Sequence, residues 1–374
     1  MRVLQVSKFY PPVMGGIESV AWELTEGLNR AGVRTDVLCA NQHWRTRRER
    51  AAAGYDIVRA GSLGMLLSTS MAPAMAWHLA RMARDCDVVH LHMPDPMAAL
   101  ALWWARPKAR VVVHWHSDVV RQRWAMRVYR PLQDWLLRRA DAVVATSEAY
   151  AESSPPLQAV RDKVVIVPIG VSDLRPAVDA RRVDEIRRRY GGRRIVFALG
   201  RMTHYKGFDF LVRAAADLPA DCVVVIGGAG EGFDVHRTSV TRLGLAGKVD
   251  LLGHVPDPDL VQWFAACDVF CMPSTLRAEA YGVAMVEAMM LGKPVVATDI
   301  AGSGVPWVNV HGETGLNVPP CDAGALAQAL VRMLGDGALR ERLGQAARCR
   351  FEEELQAGRM VEETLSVYRA GTVR

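Results

Sequence analysis

Two basic residues in the second half of the chain are spaced to bind an anion. Arg201 and Lys206 belong to the segment Gly-Arg-Met-Thr-His-Tyr-Lys-Gly at residues 200–207, directly after an apolar run. A guanidinium grips a phosphate as a planar fork, whereas an ammonium acts on it as a point charge. The pair predicts a clamp for a diphosphate, although a solvated surface pair would show the same pattern.

A second segment, residues 279–292, combines carboxylates with the start of a helix. We expect a helix after Gly282 that is apolar on every side and therefore buried, so Glu287 needs a partner to offset its desolvation. A ligand hydroxyl is one candidate partner, and a neighbouring arginine is another. The amides of Gly282 and Val283 would face a phosphate, and Glu279 would accept hydrogen bonds from a sugar.

In the first half, Gly15 and Gly16 stand at a predicted strand-to-helix turn. Glycines there let backbone amides and a helix N-terminus approach an anion closely. The segment is not the Gly-x-Gly-x-x-Gly dinucleotide motif, so an ordinary turn before a helix stays open as the alternative.

Histidines end two predicted strands of the first half. His90 and His92 alternate on one strand, and His114 and His116 alternate on the next. Side chains two positions apart share a face of a strand, so these His-x-His pairs would fit a metal-dependent hydrolase. Structural histidines fit the pattern as well, since the carboxylates that such metal sites use are missing from it.

Composition and charge indicate a globular cytoplasmic protein with an anionic partner. The 374 residues suggest two domains, 50% are apolar, and seven scattered cysteines form no Cys-x-x-Cys pair. The longest apolar run is too short to cross a bilayer. Residues 1–172 carry 22 Lys and Arg against 15 Asp and Glu, whereas residues 173–374 carry 24 against 25. Since no nucleic-acid recognition motif is present, we expect no nucleic-acid partner.

Basic residues concentrate in the segment 119–140. The pattern predicts an amphipathic helix that lies on an anionic membrane, although a solvated arginine face with inward aromatics fits as well. The segment contains Arg121, Arg123, Arg127, Arg130, Arg138 and Arg139 against Asp134, with Trp124, Tyr129 and Trp135 interleaved.

Short β-branched runs alternate with helical patterns in both halves, which predicts an α/β fold with parallel sheets. Two such series predict two Rossmann-like domains that face each other across a cleft, at residues 1–175 and 176–352, followed by a helix over 353–374. The predicted strands are residues 2–6, 35–40, 56–59, 87–92, 110–116, 142–146 and 164–167, then 194–199, 222–227, 249–252, 269–272, 294–298 and 315–318.

Together these motifs resemble retaining glycosyltransferase family 4, which adopts the GT-B fold. The resemblance implies that the last helix packs on the first domain and that the protein uses a nucleotide-sugar donor. It implies that Arg201 and Lys206 bind the donor diphosphate and that Gly15 and Gly16 shape the loop over it. Glu279 would hold the hydroxyls of the donor sugar.

The resemblance also places the nucleoside and the acceptor. Glu287 would bind the ribose, the segment Gly253-His254-Val255 would contact the base through Val255, and His116 would lie near the reacting centre and the acceptor hydroxyl. Residues 257–259 read Asp-Pro-Asp, but they stand where a helix begins and are predicted to cap it. We therefore expect no metal and no other cofactor.

One departure bears on the donor. Many family members carry Gly-Gly and then Pro-Glu after Thr298-Asp299, whereas residues 301–309 here read Ala-Gly-Ser-Gly-Val-Pro-Trp-Val-Asn and lack the acid. This variant resembles the bacterial exopolysaccharide and O-antigen mannosyltransferases. It implies GDP-mannose as donor, a lipid-linked or glycan acceptor, and a peripheral position on the inner face of the cell membrane. A UDP-hexose donor, and an epimerase or phosphorylase on the same fold, stay open.

Overall fold

The computed structural model describes residues 1–13, 15–67, 69–119 and 123–370. The chain divides into two units: unit 1 comprises Met1–Ser172 and the segment from Ala357, and unit 2 comprises Asp173–Gln356. The sequence predicted the first domain boundary at residue 175 and the start of the C-terminal helix at residue 353. In the structure the chain re-enters unit 1 only at Ala357, because a helix of unit 2 continues to Glu354.

Unit 1 contains a sheet of parallel strands with one antiparallel edge strand. The strand order is β10-β9-β8-β7-β1-β2-β4-β3, and β5 pairs with β6 separately. The edge strand β3 was not predicted, because its sequence Arg-Arg-Glu-Arg has no apolar face, a composition typical of exposed sheet edges. The strands are β1 (Arg2–Ser7), β2 (Arg34–Ala40), β3 (Arg47–Arg50), β4 (Asp56–Ala60), β5 (Met65–Leu66), β6 (Thr69–Ser70), β7 (Val88–Met93), β8 (Arg110–Trp115), β9 (Ala142–Ala145) and β10 (Val164–Ile166).

Helices cover the sheet of unit 1. Val20, Leu24 and Leu28 recur every four residues and form the buried face of the first helix, which packs against the last helix of the chain. Residues 120–122 of the predicted membrane segment lie outside the described residues. The helices are α1 (Gly16–Arg30), α2 (Ala74–Met82), α3 (Pro96–Ala105), α4 (Arg123–Arg139), α5 (Glu148–Ser153), α6 (Pro155–Gln158) and, at the end of the chain, α15 (Ala357–Arg369).

Unit 2 contains a second parallel sheet, in the order β13-β12-β11-β14-β15-β16. Its central strands are continuous apolar runs because helices cover both faces of such a sheet, and this made them easy to predict. The strands are β11 (Arg194–Leu199), β12 (Cys222–Gly227), β13 (Val249–Gly253), β14 (Val269–Met272), β15 (Val295–Thr298) and β16 (Gly315–Val318).

The Asp-Pro-Asp segment lies inside a helix of unit 2. Asp257 is the first residue of that helix, preceded by Pro256 at the cap position, so the predicted capping role is wrong. Asp259 instead pairs with Arg182 at 2.8 Å. The helices are α7 (Ala180–Arg189), α8 (Phe208–Ala214), α9 (Phe233–Arg242), α10 (Asp257–Ala266), α11 (Val283–Met290), α12 (Val305–Val308), α13 (Ala323–Gly335) and α14 (Gly337–Glu354).

Candidate functional site

Lys206 and Glu279 meet at the carboxyl edge of the unit 2 sheet. Lys206 stands in the loop after β11, and Glu279 in the loop after β14, and these two strands are neighbours. Lys206 Nζ lies 2.5 Å from Glu279 Oε2, and the two side chains are only 14% and 10% exposed. Ser274 is fully buried and donates its hydroxyl to the same carboxylate oxygen at 2.8 Å. The sequence predicted both charged residues but not their contact, and it missed Ser274.

The pair keeps Lys206 protonated in a buried place. Burial alone would lower the pKa of Lys206, but the negative charge of Glu279, the neighbouring Tyr205 and the hydrogen bond to Glu279 together raise this pKa above its usual value. A buried charge is costly unless it is paired and hydrogen-bonded. The site therefore holds a fixed ammonium and a fixed carboxylate side by side.

Two glycines make room for this lysine. A side-chain carbon added at Gly200 would lie 3.1 Å from Cε of Lys206, so the aliphatic stem of the lysine packs on the Gly200 backbone. Gly207 has φ +67°, and a Cβ there would lie 2.0 Å from the carbonyl oxygen of Pro273. The motif Gly-Arg-x4-Lys-Gly thus encodes close backbone approach at both of its ends.

The loop that carries Glu279 is tied to both neighbouring loops. The amide of Thr275 donates to the Tyr205 carbonyl at 2.7 Å. Ser303 donates its hydroxyl to the Glu279 carbonyl, and the amide of Gly304 donates to the Ala280 carbonyl at 2.8 Å. Residues 301–304, where the sequence departs from the family pattern, therefore support the backbone of Glu279.

The helix α11 starts four residues after Glu279 and corrects one prediction. It is not buried on every side, since Val283, Ala284 and Glu287 are only partly buried and share one face at positions i, i+1 and i+4. Gly282 is the residue at its N-cap. A ligand at this face would meet the helix amides at Val283 and the Glu287 carboxylate one turn later.

Arg201 and Val255 follow the carboxyl ends of β11 and β13 in unit 2. Arg201 is exposed, whereas Lys206 is largely buried, and the positive charge of Arg201 acts on Lys206 and slightly opposes the rise of its pKa. The side chain of Val255 is buried, and its Cγ2 would lie 3.0 Å from a Cβ at Gly227. Any contact of Val255 with a base would therefore come from its backbone.

In unit 1, the Gly-Gly turn stands at the N-terminus of α1, as its sequence predicts. Gly15 is the N-cap residue in extended conformation, and its carbonyl accepts from the amide of Ser19 at 2.9 Å. A Cβ at Gly15 would lie 2.6 Å from Oε2 of Glu18. An acidic side chain therefore already occupies the space next to this helix N-terminus.

The four histidines form a buried row on one face of the unit 1 sheet. His92 and His114 are register partners on β7 and β8, so His90 and His116 flank them. His92 Nδ1 lies 2.9 Å from His116 Nε2, and His92 Nε2 lies 2.9 Å from Gln5 Oε1. Burial, followed by neighbouring imidazoles, lowers the pKa of His90, His92 and His116, and burial alone lowers that of His114 to about 3.

The row offers little to a metal ion. His90, His92 and His114 each have a nitrogen within 4.8 Å of the others. However, both nitrogens of His92 are already hydrogen-bonded, and His90 Nδ1 lies 2.5 Å from the Tyr368 hydroxyl. A metal would have to displace these bonds, so the arrangement fits a polar network better than a metal centre.

Comparisons with known sequences decide the family. Residues 15–170 match the family model described as "Glycosyl transferase 4-like domain", and residues 179–350 match the one described as "Glycosyl transferases group 1". The O-antigen chain mannosyltransferase C of Escherichia coli is 32% identical over 98% of both chains. The chain belongs to the family 4 glycosyltransferases.

Two further relatives show the range of sugars within this family. The D-rhamnosyltransferase WbpZ of Pseudomonas aeruginosa is 33% identical over 94% of this chain and 92% of its own. A GDP-mannose-dependent phosphatidylinositol monomannoside mannosyltransferase of Mycolicibacterium smegmatis is 29% identical over 92% of both chains. The hydrolase alternative receives no support from these relatives.

Solved structures of other proteins have the same fold as this glycosyltransferase. A sucrose-phosphate synthase from Thermosynechococcus elongatus gives a TM-score of 0.82 at 21% identity and covers 99% of this chain and 98% of its own. Anabaena HepE in complex with UDP-glucose gives 0.79 at 21% identity, with 98% and 99% covered. The glycosyltransferase therefore has the GT-B fold, with two Rossmann-like domains.

Proposed function

We propose that this glycosyltransferase moves mannose from GDP-mannose onto a lipid-linked glycan or polysaccharide, with retention at the anomeric carbon and without a metal. The observation that supports it most is the buried Lys206–Glu279 pair beside the start of α11. The end-to-end similarity to an O-antigen mannosyltransferase favours mannose.

In this proposal, the pair changes partners when the donor binds. The diphosphate meets the Lys206 ammonium and the amides of Gly282 and Val283, where the helix N-terminus adds partial positive charge. Glu279 then accepts hydrogen bonds from the mannose hydroxyls. Exposed Arg201 has the freedom to turn towards the same diphosphate, and Gly15 and Gly16 belong to the loop that covers it.

The nucleoside follows the partly exposed face of α11. Val283 and Glu287 are four residues apart, which is a rise of about 6 Å along the helix axis. This spacing suits a phosphate at the helix start and a ribose one turn further on, where the Glu287 carboxylate accepts from the ribose hydroxyls. The backbone at Val255 contacts the base.

The proposed chemical step is a front-face substitution. The bond from the anomeric carbon to the diphosphate oxygen breaks, and the acceptor oxygen bonds to the same face of that carbon. The acceptor proton passes to the departing phosphate oxygen, while His116 orients the acceptor hydroxyl. Lys206 and the α11 amides stabilise the charge that develops on the leaving group, so positioned cations and dipoles take the place of a metal.

Calorimetric titration with GDP, GDP-mannose, UDP and UDP-glucose in EDTA tests the donor. Micromolar binding of the guanine nucleotides alone is the expected result. Uracil preference would overturn the choice of donor and favour the UDP-hexose alternative, which the similarity in fold to HepE in complex with UDP-glucose supports. Binding that needs added metal would contradict the metal-free site.

Because the proposed acceptor is lipid-linked, we also propose that the protein contacts an anionic membrane through segment 119–140. In α4, Arg127 and Arg130 are exposed, and Val128 is 79% exposed. The helix α3 packs against α4 and exposes Trp103 and Trp104. Exposed tryptophan and arginine together suit the interfacial region of an anionic leaflet. No helix in the described part of the chain is long and apolar enough to span a bilayer.

Co-sedimentation with vesicles of phosphatidylglycerol and phosphatidylethanolamine tests the membrane contact. The double variant Arg127→Glu/Arg130→Glu should lose binding, whereas Arg213→Glu, an exposed arginine of unit 2, should keep it. Equal sedimentation of both variants and the parent would contradict the proposal.

A further inference from the structure

A chain of hydrogen bonds runs through the buried polar face of unit 1 and ends at His116. From one end, His90 contacts the Tyr368 hydroxyl, Tyr368 accepts from the Gln5 amide at 3.3 Å, and Gln5 Oε1 faces His92 Nε2. His92 Nδ1 then faces His116 Nε2 at 2.9 Å. The proposed function uses His116 and none of the other four.

The Gln5 amide sets the direction of the whole chain. Its oxygen can only accept, so His92 must carry its proton on Nε2. Burial lowers the pKa of His92 and keeps it neutral, and a neutral imidazole has one N–H only. Nδ1 of His92 is therefore an acceptor, and His116 must donate from Nε2.

The same logic leaves His116 with its lone pair on Nδ1. Among the residues that the structure describes, no hydrogen bond engages this nitrogen. His116 is 6% exposed, whereas His90, His92 and His114 are fully buried, so His116 is the member of the row that reaches the surface. Its lone pair is available to a hydroxyl that approaches from solvent.

We propose that His92, oriented by Gln5, is a positioning residue that fixes His116 in the Nε2–H tautomer, so that Nδ1 accepts a hydrogen bond from a substrate hydroxyl. This inference rests on the proposed place of His116 beside the acceptor. The tautomer of His116 can be measured without any substrate, so the two proposals can fail separately.

Nitrogen NMR of the full chain labelled with ¹⁵N-histidine tests the tautomer, with the His116 signals assigned from a His116→Gln variant. The expected spectrum shows neutral His116 protonated on Nε2. Protonation on Nδ1 would overturn the proposal, because it would mean that the chain runs in the opposite direction.

Three variants test the positioning role. His92→Leu should mix the His116 tautomers and lower kcat about tenfold to a hundredfold, with the donor KM unchanged. His92→Gln should restore most of kcat, since its carboxamide offers one acceptor and one donor in place of the two ring nitrogens. His114→Leu is the matched control, because His114 packs on the His116 ring at 4.2 Å while both its nitrogens lack partners among the described residues. Equal losses in His114→Leu and His92→Leu, or no rescue by glutamine, would reduce His92 to a packing role.

Discussion

Lys206 and Glu279 neutralise each other at 2.5 Å, although the sequence assigned them to different parts of the donor. The contact means that the free protein presents a paired site rather than a bare cation. A donor that brings a diphosphate and sugar hydroxyls together can satisfy both charges, whereas a free phosphate satisfies only one. Under the proposed function, the pair would therefore favour a nucleotide sugar over a free phosphate.

Replacing Lys206 tests the leaving-group role. Lys206→Ala should lower kcat by an amount equivalent to about 2 to 4 kcal/mol, because the charge on the departing diphosphate loses its fixed cation. Lys108→Ala removes an exposed lysine of unit 1 and should leave the rate unchanged. Steady-state kinetics with saturating donor measures both, and an unchanged rate in Lys206→Ala would refute the diphosphate assignment.

Replacing Glu279 separates nucleotide binding from sugar binding. Glu279→Gln should leave the affinity for GDP unchanged or increase it, because Lys206 loses its neutralising partner. The rate of sugar transfer should fall by an amount equivalent to one hydrogen bond to a charged group, about 1.5 to 3 kcal/mol. Ser274→Ala removes only the hydroxyl that supports this carboxylate and should have a smaller effect. Calorimetry with GDP beside initial rates checks this, and a parallel loss of both quantities in Glu279→Gln would contradict separate roles.

Two glycines with the same backbone conformation isolate a steric effect. Gly207 has φ +67° and Gly244 has φ +68°. Alanine at either position pays about 1 to 2 kcal/mol for the left-handed region. Only Gly207→Ala also places a methyl group against the Pro273 carbonyl, whereas nothing lies within 4 Å at Gly244. Thermal unfolding should show the larger loss for Gly207→Ala, and GDP affinity should fall only there.

The histidine row predicts that unit 1 is sensitive to acid. The row remains neutral in the folded state because burial lowers the pKa of each imidazole, whereas unfolded histidine titrates near pH 6.5. The unfolded state therefore binds more protons below pH 6.5. As the pH is lowered, the free energy of unfolding decreases by about 1.4 kcal/mol per pH unit for each additional proton that the unfolded state binds. Asp95 has the opposite effect below about pH 6. Burial raises its pKa to about 6, so the folded state there binds up to one proton more than the unfolded state at this residue.

Urea unfolding at pH 7.5 and 5.5, followed by hydrogen exchange of β7 and β8 amides, measures this dependence. His114→Gln should make it shallower by about one proton, because it removes one buried imidazole. The same pH dependence in the variant and the parent would show that His114 is not the buried neutral group that the structure describes.

Periodicity alone predicted most of the fold. Buried parallel strands such as β11 and β12 are continuous apolar runs, and their bounds match the prediction to the residue. The charged edge strand β3 was missed because an edge has no such pattern. The partly exposed face of α11 was missed too, because the apolar residues Val283 and Ala284 look the same in a sequence whether they are buried or partly exposed.

The sequence by itself determined the chemistry of the candidate site, because residue types and local spacing are visible in it: a lysine between glycines, a carboxylate before a helix, and histidines at strand ends. Only the tertiary structure decided which of these groups touch. Lys206 and Glu279 are 73 residues apart, and His92 and His116 are 24 apart. Their contacts follow from which parallel strands are neighbours in each sheet, and that order is set by long-range packing rather than by any local pattern.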